Sequence, residues 1–182
     1  MINSEYCQLI RKLKWEEVFL YWYINEGTSE SWIKLARDRG FASWAEWRLK
    51  GYADRFQCQK TDWGLYEVSN PAKVVAEFYG GPFRTWIARH YGGDKTRSFA
   101  ELATRESIVK NPAVRSMVND FPVEKIITCL ELKNGKIYTI EGMHRCCSLA
   151  LIHKENKPGP ASLRFAIGKS RLKELPPVGQ AG

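Results

Sequence analysis

The sequence predicts an α+β protein, a small mixed sheet with helices, preceded by an N-terminal helical subdomain. Three observations predict it. Residues 125–132 (KIITCLEL) and 136–140 (KIYTI) are β-branched runs joined through Lys133-Asn134-Gly135, the signature of a hairpin whose turn residues tolerate positive φ. Directly behind them Met143, Cys146, Cys147, Ala150 and Leu151 recur at i, i+3, i+4, i+7 and i+8, an apolar stripe that faces a sheet. From about residue 4 to 58 the apolar residues follow helical spacing instead.

In chain order, Leu9, Ile10 and Leu13, then Val18, Phe19, Trp22 and Tyr23, keep that spacing up to the NEGTSES turn at 25–31. Ser29 or Ser31 is a candidate N-cap for a helix carrying Trp32, Leu35 and Ala36 that Gly40 ends, and Ser43 is a candidate cap for SWAEWRLKGYADRF. WGLYEVSNP (63–71) reads as a short strand closed by Asn-Pro, which places the boundary of the helical subdomain near residue 60. The expected units are therefore 1–60, 61–170 and a Pro/Gly-rich tail, 171–182, that frays. Between them, AKVVAEFY is a helix broken by Gly80-Gly81-Pro82, FRTWIARHYGG is a second, and SFAELATRESIVKN and PAVRSMVNDF are two more, the last opened by Pro112. SLRFAI (162–167) supplies a closing strand.

Composition narrows the class. With 44% hydrophobic and 26% charged residues and seven tryptophans, the chain packs a core rather than remaining disordered. The excess of 28 Lys+Arg over 20 Asp+Glu, with a pI near 9.3, favours polyanionic partners such as nucleotides or nucleic acid. Five cysteines, odd in number and without a CxxC pair, fit neither a disulfide framework nor a zinc site, and read as reduced packing residues of a cytoplasmic protein. No apolar run resembles a signal peptide or reaches the roughly 18 residues of a membrane span, so no membrane partner is expected.

The chemistry concentrates at EGMHR (141–145). Glu141 ends a strand, Gly142 turns, and the amides of Met143, His144 and Arg145 fall among the unpaired donors of a helix's first turn, where the dipole favours an anion. Arg145 can grip phosphate oxygens and His144 can donate to one. A cation at a helix start is disfavoured by the dipole unless it has a partner, so Arg145 needs either Glu141 or a ligand.

Strand, acidic residue, Gly-x-His-Arg, then a helix of small apolar residues resembles the phosphate-binding box of the ParB/sulfiredoxin-like superfamily, which includes nucleotidase domains, sulfiredoxin and free-serine kinases. PAVRSMVNDFPVEKIITCLELKNGKIYTIEGMHR (112–145) keeps that superfamily's order of helix, strand, strand, glycine turn and helix. The resemblance implies ATP or another nucleoside triphosphate with Mg²⁺, and phosphoryl transfer to a small-molecule acceptor or nucleotide hydrolysis. It assigns the phosphates to Gly142, Met143, His144 and Arg145, a catalytic and metal-arranging role to Glu141, a catalytic role to His144, and nucleotide contacts to Ser116. Two departures bear on chemistry: Met143 stands where sulfiredoxin has its reactive cysteine, and NPAKVVAE (70–77) lacks the serine kinases' extra glutamate, for which Glu77 is the nearest substitute.

GGPFRTWIARHYGG (80–93) sets Arg84, Arg89 and His90 between two glycine pairs, either as a lid over an anionic ligand, with Arg84 a nucleotide contact, or as a solvated helix burying Phe83, Trp86 and Ile87. WIKLARDRGFASWAEWRLK (32–50) has the spacing of a helix-turn-helix at Ala36 and Gly40, though Glu46 and three tryptophans argue for packing. That segment and the basic surface carry the alternative function, a nucleic-acid-binding module.

Overall fold

The computed structural model describes residues 5–180. Six strands form one mixed sheet: β1 (Cys7–Leu13), β2 (Asp62–Ser69), β3 (Tyr79–Gly80), β4 (Ile127–Glu131), β5 (Ile137–Glu141) and β6 (Ser162–Lys169), in the order β1-β2-β6-β4-β5-β3. β4 is parallel to β6 and β3 to β5, and the other pairings are antiparallel. The α+β class and the mixed sheet expected from the sequence are present.

Both faces of the sheet are covered, which is why its central strands are buried almost without alternation. On one face Ile127, Cys129, Ile137, Phe165 and Ile167 meet α4 (Pro71–Ala76), α6 (Phe99–Leu102), α8 (Pro112–Asn119) and α9 (Met143–Lys154). On the other, Leu65, Leu130, Tyr138, Ile140 and Ala166 meet the tryptophans of α1 (Trp15–Trp22) and α3 (Trp44–Arg48). The N-terminal helices, with α2 (Glu30–Asp38), thus form the sheet's second layer. Trp22 locks the layers together: 2% exposed, it donates from Nε1 to Thr128 Oγ1 in β4 at 2.9 Å.

Three local expectations are corrected. Cys7–Leu13 is an edge strand, not a helix, so the segment before residue 60 is not wholly helical. Its register slips between Leu9 and Arg11, leaving Ile10 as an extra residue. Such a bulge sends Cys7 to one core and Leu13 to the other and erases the period-two pattern. In the hairpin turn only Gly135 takes positive φ (77°); Asn134 instead accepts the Lys136 amide on its side chain at 2.9 Å. The tail does not fray over its described part: Leu175 and Val178 are buried, and Val178 exchanges backbone hydrogen bonds with Pro82 and Arg84 at 3.0 and 2.9 Å.

Among the described residues no helix is long and apolar enough to cross a membrane. All five cysteines are free and buried. Trp22→Phe is expected to lower stability by at least about 1–3 kcal/mol, because Thr128 loses its buried partner. Thr128→Val added to it should return part of that loss in urea denaturation; a further drop would mean that the layer contact is packing alone.

Candidate functional site

β5 hands the chain to α9 through Gly142, whose φ of +97° is the left-handed conformation that favours glycine. A Cβ there would stand 3.0 Å from the Arg145 guanidinium and 3.2 Å from Ile127, so the turn is closed to larger residues by geometry and by space. At this junction opens a cleft of about 670 Å³. Its floor is Ile140 to Arg145, one wall is α5 (Arg84–Arg89) through Thr85, Trp86 and Arg89, another is Asn25, Glu26, Trp32 and Arg48, and Val178 to Gln180 close the rim.

Arg145 is not left free to grip a phosphate. It is 6% exposed and turned back, its Nη2 donating to both Glu141 oxygens at 2.6 and 2.7 Å and its Nη1 to the Lys125 and Ile126 carbonyls. The question of its partner is answered by Glu141. Asn25 Nδ2 adds a hydrogen bond to Glu141 Oε2 at 3.0 Å and one to the Ile126 carbonyl at 2.9 Å, tying the N-terminal layer to the junction.

Facing this pair is a second one. Arg48 Nε donates to Glu26 Oε2 at 2.8 Å, and its Nη2 joins the same oxygen. Its guanidinium lies among Trp47, Tyr52 and Trp32, 4.3 to 4.9 Å from their ring centres. Burial pushes the Glu26 carboxyl above its ordinary range; Arg48 opposes this, and the charge of Glu141 adds to it. Both pairs stand beside π-helical turns, Tyr23–Gly27 carrying Asn25 and Glu26, and Leu49–Ala53 following Arg48, a backbone irregularity that recurs at functional sites. Sequence reasoning missed Asn25, Glu26 and Arg48. Nothing in the local spacing marks them, since the same stretches carry other charged residues, Glu16, Glu17 and Glu46.

His144 lines the cleft against Trp86, with ring centres 5.1 Å apart. Trp86 also packs against His90, their rings tilted with centres 4.8 Å apart, and His90 bonds Ser107 Oγ through Nδ1 at 2.9 Å. Burial holds the His144 imidazole below its ordinary pKa, and the His90 charge lowers it further. Met143 is buried in the core, which leaves its amide as its contribution to the first turn. Cys146 is buried and its thiol pushed up to about 12, so it is no nucleophile.

The remaining sequence candidates lie elsewhere. Ser116 is exposed and outside the cleft, whereas its neighbour Met117 lines it. Arg84 faces an adjoining hollow rather than the cleft, where Arg89 stands instead. Glu77 is exposed at the end of α4 and does not line the cleft. Of the helix-turn-helix segment, α3 buries Trp44, Trp47 and Arg48, so those side chains are not available to a DNA groove.

No family model, curated protein or solved structure matches the chain. The ParB/sulfiredoxin-like reading therefore rests on the residues and their order. Mg²⁺ held by Glu141 does not fit this arrangement: both carboxylate oxygens accept from Arg145, whose positive charge opposes a cation at the same place. Among the described residues no cluster of three metal-ligating side chains forms.

Arg145→Ala would leave Glu141 buried without its counter-charge and is expected to cost about 3–5 kcal/mol. Glu141→Gln with Arg145→Met should recover most of it in urea denaturation; a single-variant loss under about 1 kcal/mol would mean that the pair behaves as an exposed one. His144, kept neutral in the fold, contributes stability above its unfolded pKa of about 6.5 that is lost as pH falls toward its folded value. His144→Gln should therefore flatten, in part, the drop in stability between about pH 7.5 and 5.5; an unchanged slope would assign that drop to other groups.

Proposed function

We propose that the cleft binds the phosphate groups of a nucleotide, a nucleoside triphosphate such as ATP, at the first turn of α9. The observation that carries this reading is the charge balance around that turn. Five cationic side chains (Arg39, Arg48, Arg89, Lys125 and Arg145) line the cleft against two carboxylates, and both carboxylates are already neutralised by Arg48 and Arg145. Arg39, Arg89 and Lys125 are left to attract an anion, and they surround a glycine-capped helix start whose amides point donors at it. The cleft's volume suits a nucleotide, and Trp32 and Trp86 supply aromatic surface for a base.

Phosphoryl transfer or nucleotide hydrolysis, which the superfamily resemblance implies, asks more of the site. It needs charge neutralisation at the transferred group and a residue that orients the acceptor. Glu141 and Glu26 are occupied as counter-ions, so the geometry supports binding ahead of turnover. His144, neutral near pH 7, is placed to donate a hydrogen bond to a bound phosphate.

The test is a thermal-shift titration of the wild type, His144→Gln and Arg89→Ser with ATP, ADP, CTP and GTP, with and without Mg²⁺. Arg145 variants are unsuitable because their folding defect would mimic lost binding. A nucleotide at 100 times its dissociation constant should add about 2.7 kcal/mol to the wild type and clearly less to both variants. If no nucleotide moves the transition, phosphate binding at this turn is wrong.

A further inference from the structure

Beside the cleft lies a hollow of about 230 Å³. Its charged lining is wholly cationic, from Arg39, Lys50, Arg55 and Arg84, with no carboxylate. Lys50 is paired with Glu46 at 2.7 Å, at an exposed site where such a pair is weak, and also feels Asp54. Among the described residues no ion pair holds Arg39, Arg55 or Arg84. Like charges gathered this way repel one another unless an anion sits between them.

The hollow is built, not incidental. Arg39 is fixed over the Trp47 ring at 4.9 Å, and Arg84 begins α5 with its amide bonded to the Val178 carbonyl at 2.9 Å. Gly179 closes the wall at φ +79°, where a Cβ would stand 3.1 Å from the Tyr52 hydroxyl. Arg39, Trp47, Tyr52 and Val178 to Gln180 line the hollow and the cleft alike, so the two are neighbouring parts of one concave surface.

We propose that this hollow holds a second phosphate group of the ligand whose first phosphate sits at the α9 turn. The inference rests on the phosphate reading of the cleft and narrows it. The ligand carries phosphates at two separated places on a nucleoside, the chemistry of a nucleoside 3′,5′-bisphosphate and of each unit of a nucleic-acid strand. A simple nucleoside polyphosphate gathers its charge at one end and leaves the hollow's arginines unanswered.

The experiment is calorimetric titration with ADP, adenosine 3′,5′-bisphosphate and a 5′-phosphorylated adenine dinucleotide, on the wild type and on Arg55→Ser/Arg84→Ser. Both substituted residues are exposed, so the fold should tolerate the change. ADP and the bisphosphate carry two phosphates each, and because the two separated monoesters bear about one more negative charge than the diphosphate, the double variant rather than the ligand pair alone controls for general charge attraction. The bisphosphate should bind on the order of tenfold tighter than ADP in the wild type and fall to the ADP level in the variant, with ADP little affected. Tighter binding of the dinucleotide than of the bisphosphate would assign a strand as the source, and equal binding a free nucleotide. Equal affinity of ADP and bisphosphate, unmoved by the variant, would overturn the second site while leaving the cleft reading intact. Binding of none would remove both.

Discussion

The arrangement depends on one buried ion pair. Glu141 ends the strand and Arg145 is the third residue of the helix, so the two hydrogen bonds from Arg145 Nη2 to the Glu141 carboxylate fix the angle at which β5 becomes α9. The helix dipole alone would favour the glutamate and oppose the arginine at that end; paired, the two are nearly neutral and the first-turn amides keep their pull on an anion. The Arg145 guanidinium also satisfies the Lys125 and Ile126 carbonyls just before β4, and Asn25 reaches the same carboxylate from the opposite layer. One pair thus sets where two strands, the central helix and the N-terminal layer meet. Its exposure of 6–7% per side chain makes it costly to break from either side.

The second pair gives the cleft its other wall by the same logic. Arg48 is buried among three rings, where an ammonium would lose more hydration than a guanidinium does. Glu26 accompanies it, and the π-helical turn at Tyr23–Gly27 gives the backbone the extra residue that brings Glu26 and Asn25 together on the cleft side. Two carboxylates that repel each other are each held by an arginine, so opening either pair unbalances the other.

The sequence carried the fold class because its signals were local. A β-branched hairpin, a glycine turn and a regular apolar helix need no distant partner to be legible, and the two strands and the helix between residues 127 and 154 took the form they suggested, while the turn joining the strands differs in detail. β1 was hidden because the extra residue at Ile10 broke its alternation, leaving Leu9, Ile10 and Leu13 at a spacing that imitates a helix. The anchored tail was hidden for a different reason. Val178 is held by Pro82 and Arg84, almost a hundred residues away, and nothing in a Pro/Gly-rich stretch announces such a partner. EGMHR lines the candidate cleft, but the cleft's other members were not legible. Glu26, in the π-helical turn after α1, and Arg48, at the end of α3, are matched across the intervening α2, and such charge pairing leaves no periodic trace.

On the proposed phosphate reading, the buried pair also constrains how the anion would be held. A ligand that gripped Arg145 directly would have to displace Glu141, leaving a carboxylate inside the protein without its counter-charge. The cost of that exposure, about 3–5 kcal/mol, is comparable to what a charge-assisted hydrogen bond or two returns. An anion that leaves the pair closed avoids it, meeting the first-turn amides, His144 and the flanking Arg39, Arg89 and Lys125 instead. Arg145 would then act as a positioning residue, balancing the charge of the Glu141 carboxylate and holding the turn. Gly142 follows from the same constraint, since a side chain at φ +97° would press on the guanidinium that makes the turn possible.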